Sequence, residues 1–520
     1  MSAAVARPRA LRFLSPLLHG VSARTAVRTG LVASIVGAIA SWGVGFMPST
    51  QGSIFVTPGI LRPLRVNEVG VYLCSLALVL SAVCLIWAWL QLGRSSAGES
   101  GLRRVKRAIL AWSGPWLLAF PVMSRDVYSY AAQGRLLSVG MDPYSDAVGS
   151  LPGWLGQGAD VLWAQSSSPY GPLFLLIASG VQGVSGWRPE IYVLLFRALA
   201  MLGVLLCVVA LERMCRLRGV DPGWALWIVV ANPLFIYSMV ASAHNDSLMV
   251  GLIVAAFVAI AHGRKASGLL LVAAAIAIKP IMVLALPFIG LALAGREASW
   301  RQRFAWWAVT GAAVGAVLAV LGALSGLWFG WIGAMADQGS AAFPFAPYGL
   351  IGLALGAGVG ALGGAAVGAA VQSGFYLLGK LLAIGGTFWL ALRRPLGDPF
   401  MHTGCALALA VVLNPVIQPW YLFWFLPFFV AYARRFGFWE QMTILLSSAL
   451  VVWCLVDQLS LPDWVPATPV KLSVAAAGAV TLLVLVLAAS AQRGYFRGLR
   501  FASLLRPDAL EESVTQRPAG

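Results

Sequence analysis

Apolar runs of about the length that crosses a bilayer recur from residue 29 to residue 490, and no long polar stretch separates them. The chain has 520 residues, 60% hydrophobic and 11% charged. A soluble fold of that composition would leave large apolar patches in water. The chain therefore reads as an all-α polytopic membrane protein. The runs lie near 29–47, 70–92, 108–123, 190–210, 223–241, 246–262, 267–280, 281–294, 304–324, 403–417, 419–433, 438–456 and 470–490. Two more, 347–371 and 373–392, are rich in Gly and Ala.

The net charge of +17 sits mostly in short loops and at the two ends. On a soluble protein it would suggest nucleic acid. Here it marks loops held in the cytoplasm, with contact to anionic membrane lipids as a second role. The clusters are Arg7, Arg9, Arg12, Arg24 and Arg28; Arg94 with Arg103, Arg104, Lys106 and Arg107; Arg213, Arg216 and Arg218; Arg264 with Lys265; Arg296, Arg301 and Arg303; Arg393 with Arg394; Arg434 with Arg435; and Arg493, Arg497, Arg500 and Arg506. Their alternation puts residues 124–187 outside and both termini inside, in the plasma membrane. The first run reads as an uncleaved helix rather than a signal peptide. The alternation fails over 325–392, where an odd number of crossings is needed; one segment there is expected to be re-entrant, interfacial or split. About 14 spans result. Residues 1–490 form one membrane domain, and 491–520 a short basic tail.

Several motifs carry no chemistry. Gly358-Val359-Gly360-Ala361-Leu362-Gly363 fits a dinucleotide pattern, but no strand precedes it and no acidic residue follows at the needed distance. Close helix packing through Gly356, Gly360 and Gly364 explains it better. The Gly374–Lys380 stretch lacks the Ser/Thr of a phosphate loop. No nucleotide site is indicated. The six cysteines, Cys74, Cys84, Cys207, Cys215, Cys405 and Cys454, show neither metal nor disulfide spacing, and no metal is assigned.

The nineteen acidic residues are informative by position. Glu68, Asp126, Asp142, Asp146, Asp160, Glu190, Asp246, Asp337, Asp457 and Asp463 fall at the outer rim. Hardly any carboxylate is left mid-membrane, which argues against an ion-coupled transporter. Ser124-Arg125-Asp126-Val127-Tyr128-Ser129-Tyr130 begins where the apolar run 108–123 stops. A carboxylate there is costly without a partner or a task, so Asp126 is the candidate base. An interfacial amphipathic helix anchored by its tyrosines is the plain alternative.

Arg135, Asp142, Tyr144 and Tyr170 follow in the same loop, with Pro143, Pro169 and Pro172 forcing turns. His244-Asn245-Asp246 either caps a helix or binds a phosphate, a hydroxyl or a metal. Lys279 before Pro280 either snorkels to the interface or pairs with an anion. Gln418, Trp420 and Tyr421 suit sugar stacking and hydroxyl bonding, and equally an aromatic belt.

Taken together, Arg-Asp-Val-Tyr-Ser-Tyr at 125–130, Asp-Pro-Tyr at 142–144, Ser-Pro-Tyr-Gly-Pro at 168–172, His-Asn-Asp at 244–246 and Lys-Pro at 279–280 resemble the actinobacterial polyprenol-phosphate-mannose-dependent α-1,6-mannosyltransferases, of the GT-C class. The resemblance covers roughly residues 30 to 490. It implies a GT-C helical bundle and a polyprenyl phosphomannose donor used at the extracytoplasmic face. It also implies a lipid-anchored α-1,6-mannan acceptor, the backbone of lipomannan and lipoarabinomannan. Asp126 occupies the place of the family's essential acidic residue. Under this reading Arg125, Arg135, His244 and Lys279 are candidates for the donor phosphate. Tyr128, Tyr130, Asp142, Tyr144, Tyr170, Asn245, Asp246, Gln418, Trp420 and Tyr421 are candidates for acceptor or sugar. A β-linked donor and an α-linked product require one inverting displacement and one base. Arabinosyl or glucosyl transfer, and a lipid-linked sugar flippase, are the competing readings.

Overall fold

The computed structural model describes residues 21–49, 53, 61–337, 346–394, 397–433, 435 and 437–492. Of the basic residues named above, Arg7, Arg9, Arg12, Arg434, Arg493, Arg497, Arg500 and Arg506 lie outside them, as does the tail beyond Gln492.

Every extended regular element among the described residues is a helix. The first half contains α1 (Ala23–Val44), α2 (Glu68–Gly93), α3 (Gly98–Ser113), α4 (Asp126–Ser138), α5 (Pro172–Ser185), α6 (Pro189–Arg218), α7 (Pro222–Val229), α8 (Asp246–Ala261), α9 (Lys265–Ile278) and α10 (Leu286–Ala294). The second contains α11 (Trp300–Ser325), α12 (Pro347–Gly363), α13 (Ala365–Leu392), α14 (Pro399–Val412), α15 (Leu422–Val430), α16 (Phe438–Asp457) and α17 (Ala467–Gln492). The protein is an all-α polytopic membrane protein. Among the described residues seven helices are long and apolar enough to cross a bilayer, or eight if α7 and the segment Pro233–Ala241, bent by 55°, form one span. Seven more apolar helices have only 10–17 residues, so a total near 14 depends on several of these crossing.

Proline explains many of the breaks. It removes a backbone donor and disfavours helix at the residue before it. Pro233 bends the path after α7, and Pro280 ends α9. The expected span at 108–123 is not one continuous helix. α3 stops at Ser113, a 3-10 turn covers Gly114–Leu118 with Pro115 in it, and an extended strap runs to Arg125. The hairpin expected to break near residue 372 turns at Gly364 instead, where φ is +91°, a value a side chain resists. Its arms meet through Gly356, Gly360 and Gly368. A Cβ on Gly368 would lie 2.4 Å from the Gly356 carbonyl oxygen. Small-residue packing thus accounts for the glycine pattern.

Several polar side chains inside the bundle are paired across elements. The Trp89 and Trp227 indoles each donate to the other's carbonyl, at 2.8 and 2.7 Å, locking α2 to α7. Arg218 grips Asp398 with two nitrogens at 2.9 and 3.0 Å, tying the end of α6 to the start of α14. All six cysteines are free thiols.

Candidate functional site

The strap before α4 is largely buried, so its backbone groups need partners. They find them. Arg197 donates to the Leu117 carbonyl at 3.1 Å, and the Trp42 indole to that of Leu118 at 3.0 Å. Phe120 N–H donates to Ser41 Oγ at 3.0 Å, and Phe46 N–H to the Pro121 carbonyl at 2.8 Å. The Ser242 hydroxyl donates to the Val122 carbonyl. Met123 then adopts φ +67°, a left-handed conformation that costs a non-glycine residue about 1–3 kcal/mol. That turn delivers Ser124 and Asp126. The Asp126 N–H donates to Ser124 Oγ at 3.1 Å, and α4 begins.

A second strap mirrors the first. Pro233–Ala241 ends in a π-helical turn, Ile236–Ala241, and Ala243 takes φ +60° immediately before His244. Arg197 also donates to the Ala241 carbonyl at 3.0 Å. Arg197 and Ser242 therefore clasp the two straps together, and the two left-handed turns face their polar residues toward each other. His244 Nε2 sits 3.4 Å from Asp126 Oδ2.

Asp246 opens α8, but neither it nor Asn245 caps the helix through a side chain. Asp246 Oδ1 accepts from Lys279 Nζ at 2.8 Å and from the Trp424 indole at 2.6 Å. Lys279 reaches it because Pro280 holds Lys279 extended, at φ −143° and ψ 107°. The helix carbonyl freed at Ile278 accepts the Gly171 N–H at 3.1 Å. Gly171 must be glycine here: a Cβ would lie 2.4 Å from the Ala277 carbonyl oxygen. This contact brings the Pro-Tyr-Gly-Pro turn to the broken end of α9. The Lys279 ammonium lies 5.6 Å from the Tyr170 ring, 5.8 Å from Tyr421 and 5.2 Å from Trp424. Lys279 is 8% exposed, so it is paired rather than snorkelling.

Aromatic rings wall the site. Trp420 lies over His244 with centroids 4.0 Å apart, and Tyr421 stacks on Trp424 at 3.8 Å. Tyr130 meets Tyr170 edge-on at 5.1 Å. Among the buried polar groups of the site that find no hydrogen-bond partner in the protein are His244 Nδ1, the Asn245 amide, Asp246 Oδ2 and the Trp420 indole N–H. Buried groups of this kind are normally satisfied, and a cluster of donors and acceptors left open suits hydroxyl groups of a ligand. Of the two carboxylates, Asp246 is fully enclosed, while Asp126 is 19% exposed. Burial alone would raise the Asp126 pKa, but His244, Lys279 and Ser124 outweigh it and hold the carboxyl below its ordinary range. Among the described residues no three His, Cys, Asp or Glu side chains converge as a metal site requires.

The structure gathers Asp126, Tyr130, Tyr170, His244, Asn245, Asp246, Lys279, Trp420 and Tyr421 around one centre. Other candidates stand elsewhere. The Arg125 guanidinium lies over Phe46 at 4.7 Å. Arg135 is exposed and covers Trp187 at 5.3 Å, about 13 Å along the axis of α4 from Asp126. The Tyr128 hydroxyl donates to the Phe46 carbonyl at 2.6 Å. Asp142 closes a turn on the Tyr144 N–H at 2.8 Å, and the Tyr144 hydroxyl holds the Tyr170 carbonyl at 2.9 Å. Gln418 is partly exposed before the turn Pro419–Tyr421 and makes no capping bond. Trp424 and Arg197 were not among the sequence candidates. Trp424 falls four residues after Trp420, a spacing that puts both on one helical face. Arg197 is a lone charge well inside an apolar run.

Two family descriptions match this chain. The model of the alpha-(1->6)-mannopyranosyltransferase N-terminal domain matches residues 27–295, and that of the MptB C-terminal domain matches 349–497. The site draws Asp126, His244, Asp246 and Lys279 from the first match and Trp420, Tyr421 and Trp424 from the second. A probable alpha-(1->6)-mannopyranosyltransferase of Mycolicibacterium smegmatis is 32% identical over 79% of this chain and 79% of its own. Alpha-(1->6)-mannopyranosyltransferase A of Mycobacterium tuberculosis is 32% identical over 68% of this chain and 70% of its own. Alpha-(1->6)-mannopyranosyltransferase B of Corynebacterium glutamicum is 28% identical over 83% and 77%. No solved structure matches. The chain belongs to the alpha-(1->6)-mannopyranosyltransferase family.

Proposed function

We propose that the protein is an α-1,6-mannosyltransferase of the plasma membrane. It moves mannose from polyprenyl phosphomannose to a lipid-anchored α-1,6-mannan at the extracytoplasmic face, and Asp126 is the general base. The names of the relatives favour mannose over arabinose or glucose. The observation that carries the mechanism is the contrast between the two carboxylates. Asp246 is enclosed, with one oxygen spent on Lys279 and Trp424, whereas Asp126 is open, ionised and flanked by His244.

In the reaction the acceptor 6-hydroxyl attacks the anomeric carbon as the bond to the lipid phosphate breaks. Asp126 takes the hydroxyl proton, and the phosphate leaves with the bonding pair, so configuration inverts in one displacement. His244, fully buried behind Asp126, holds the carboxylate in place. Asn245, Asp246 Oδ2 and the Trp420 indole N–H offer bonds to sugar hydroxyls, and the Trp420 and Tyr421 rings offer apolar faces to the sugar. Trp420→Ala removes both a ring and a donor, and kcat/KM for the acceptor is expected to fall about tenfold, carried mainly by KM. Kinetics across acceptor concentrations in membranes check this; an unchanged KM would place the acceptor elsewhere. The function is tested by transfer of labelled mannose to an α-1,6-dimannoside. Polyprenyl phosphomannose is expected to serve as donor and a nucleotide mannose is not; the reverse preference would refute the reading.

A further inference from the structure

Behind the strap that delivers Asp126 lies a cavity of about 410 Å³, within the size range of ligand pockets. Its walls are apolar: Trp42, Leu118 and Phe120 on one side, Leu194 of α6 on the other. Leu118 is 77% and Leu194 52% exposed. α6, which carries Leu194, is long and apolar enough to span the membrane, and a mouth walled by two exposed leucines suits entry of a lipid chain. The inner end differs in character. Tyr128, two residues from Asp126, lines it together with Arg197. Arg197 is 2% exposed; its two terminal nitrogens hold the straps, and its Nε–H has no partner. Arg65 and Arg125 also act electrostatically on Tyr128, and Glu190 acts against them. Among the described residues that line the cavity the one carboxylate is Glu190, which accepts from the Ser53 hydroxyl at 2.7 Å. A groove that is greasy at its mouth, carries a buried arginine at its end and touches the helix that bears Asp126 fits a ligand with the same polarity.

We propose that this cavity holds the isoprenoid chain of a polyprenyl phosphate, with the phosphate turned toward Arg197. The chain enters from the bilayer without crossing water, and its anion meets a buried cation with an open donor. The donor role rests on the function proposed above; the binding site does not.

The test uses the purified full chain in phosphatidylcholine nanodiscs. The probe is farnesyl phosphate carrying a photoreactive group on its terminal isoprene, with labelled peptides mapped by mass spectrometry. Label is expected on residues 117–121 and 189–194. Unlabelled farnesyl phosphate should displace it, and farnesol or inorganic phosphate should not. Leu194→Trp, which fills the mouth, should cut labelling about tenfold with an unchanged unfolding temperature. Label on other segments, no label on the wild type, equal competition by farnesol or by added phosphatidylcholine, or full labelling of Leu194→Trp would each overturn the proposal. The readout needs no sugar transfer. Label in the cavity without any mannosyl transfer would sink the transferase reading and leave the groove. Transfer with the label elsewhere would do the opposite.

Discussion

Asp126→Asn is expected to lower mannosyl transfer by about 10²–10⁴-fold, the range a positioned proton acceptor supplies, while expression and unfolding temperature change little. The amide keeps the shape of the side chain and its place beside His244 but cannot take the acceptor proton. KM for either substrate should move far less than kcat, because the lost interaction belongs to the transition state. The pH profile gives a second handle. The base works as a carboxylate, and its surroundings lower its pKa, with His244 and Lys279 outweighing the opposing effect of burial. The acid limb of kcat/KM should therefore lie below the ordinary aspartate range, with no loss from this group as pH falls from 7 to 5. An acid limb near pH 6 assigned to Asp126 would contradict this. Asp126→Asn with wild-type kcat would remove Asp126 from the chemistry.

Lys279→Met is expected to be the most destabilising single change in the site. It leaves the Asp246 carboxyl fully buried, with only the Trp424 indole as partner on its paired oxygen. Breaking a buried pair from one side typically costs about 3–5 kcal/mol, because the surviving charge cannot return to water. Thermal unfolding in detergent should show a drop of several degrees. The double variant Asp246→Asn with Lys279→Met should recover much of that drop, since neither charge then remains. If Lys279 instead reached the interface as a snorkelling side chain, Lys279→Met would be nearly silent and the double variant no better than the single. Both variants should lose transfer, because the pair also holds α8 against the broken end of α9.

Much of the site was legible because polar residues are rare in this chain and each must justify its place in or beside lipid. That reasoning singles out Asp126, His244, Asp246 and Lys279, and all four meet. It left two possible roles for His244-Asn245-Asp246 and for Lys279. Geometry decides against simple capping and against snorkelling, because the deciding partners, Trp424 and Asp126, lie far away in sequence. Side-chain direction was the main thing hidden. Arg125, Arg135, Tyr128 and Tyr144 stand in the right loop, yet Phe46, Trp187 and nearby backbone carbonyls claim them. Trp424 escaped notice because an indole in Leu422–Val430 looks like any lipid-facing aromatic. Arg197 escaped because charge counting by loop ignores a charge inside a span. The apolar run 108–123 misled for a related reason. Hydropathy averages over Gly114-Pro115, where the helix actually gives way, and the strap it hides is what carries Asp126 to His244.

The most direct test of the central claim is the linkage of the product made by wild-type protein in membranes. The protein would be given β-linked polyprenyl phosphomannose carrying carbon-13 at the anomeric carbon, with an α-1,6-dimannoside as acceptor. The anomeric carbon–hydrogen coupling of the new residue reports its configuration. One displacement with Asp126 as base predicts a single new α-linked mannose, formed by wild type and not by Asp126→Asn. A β-linked product, or an α-linked product made equally well by Asp126→Asn, would contradict the account.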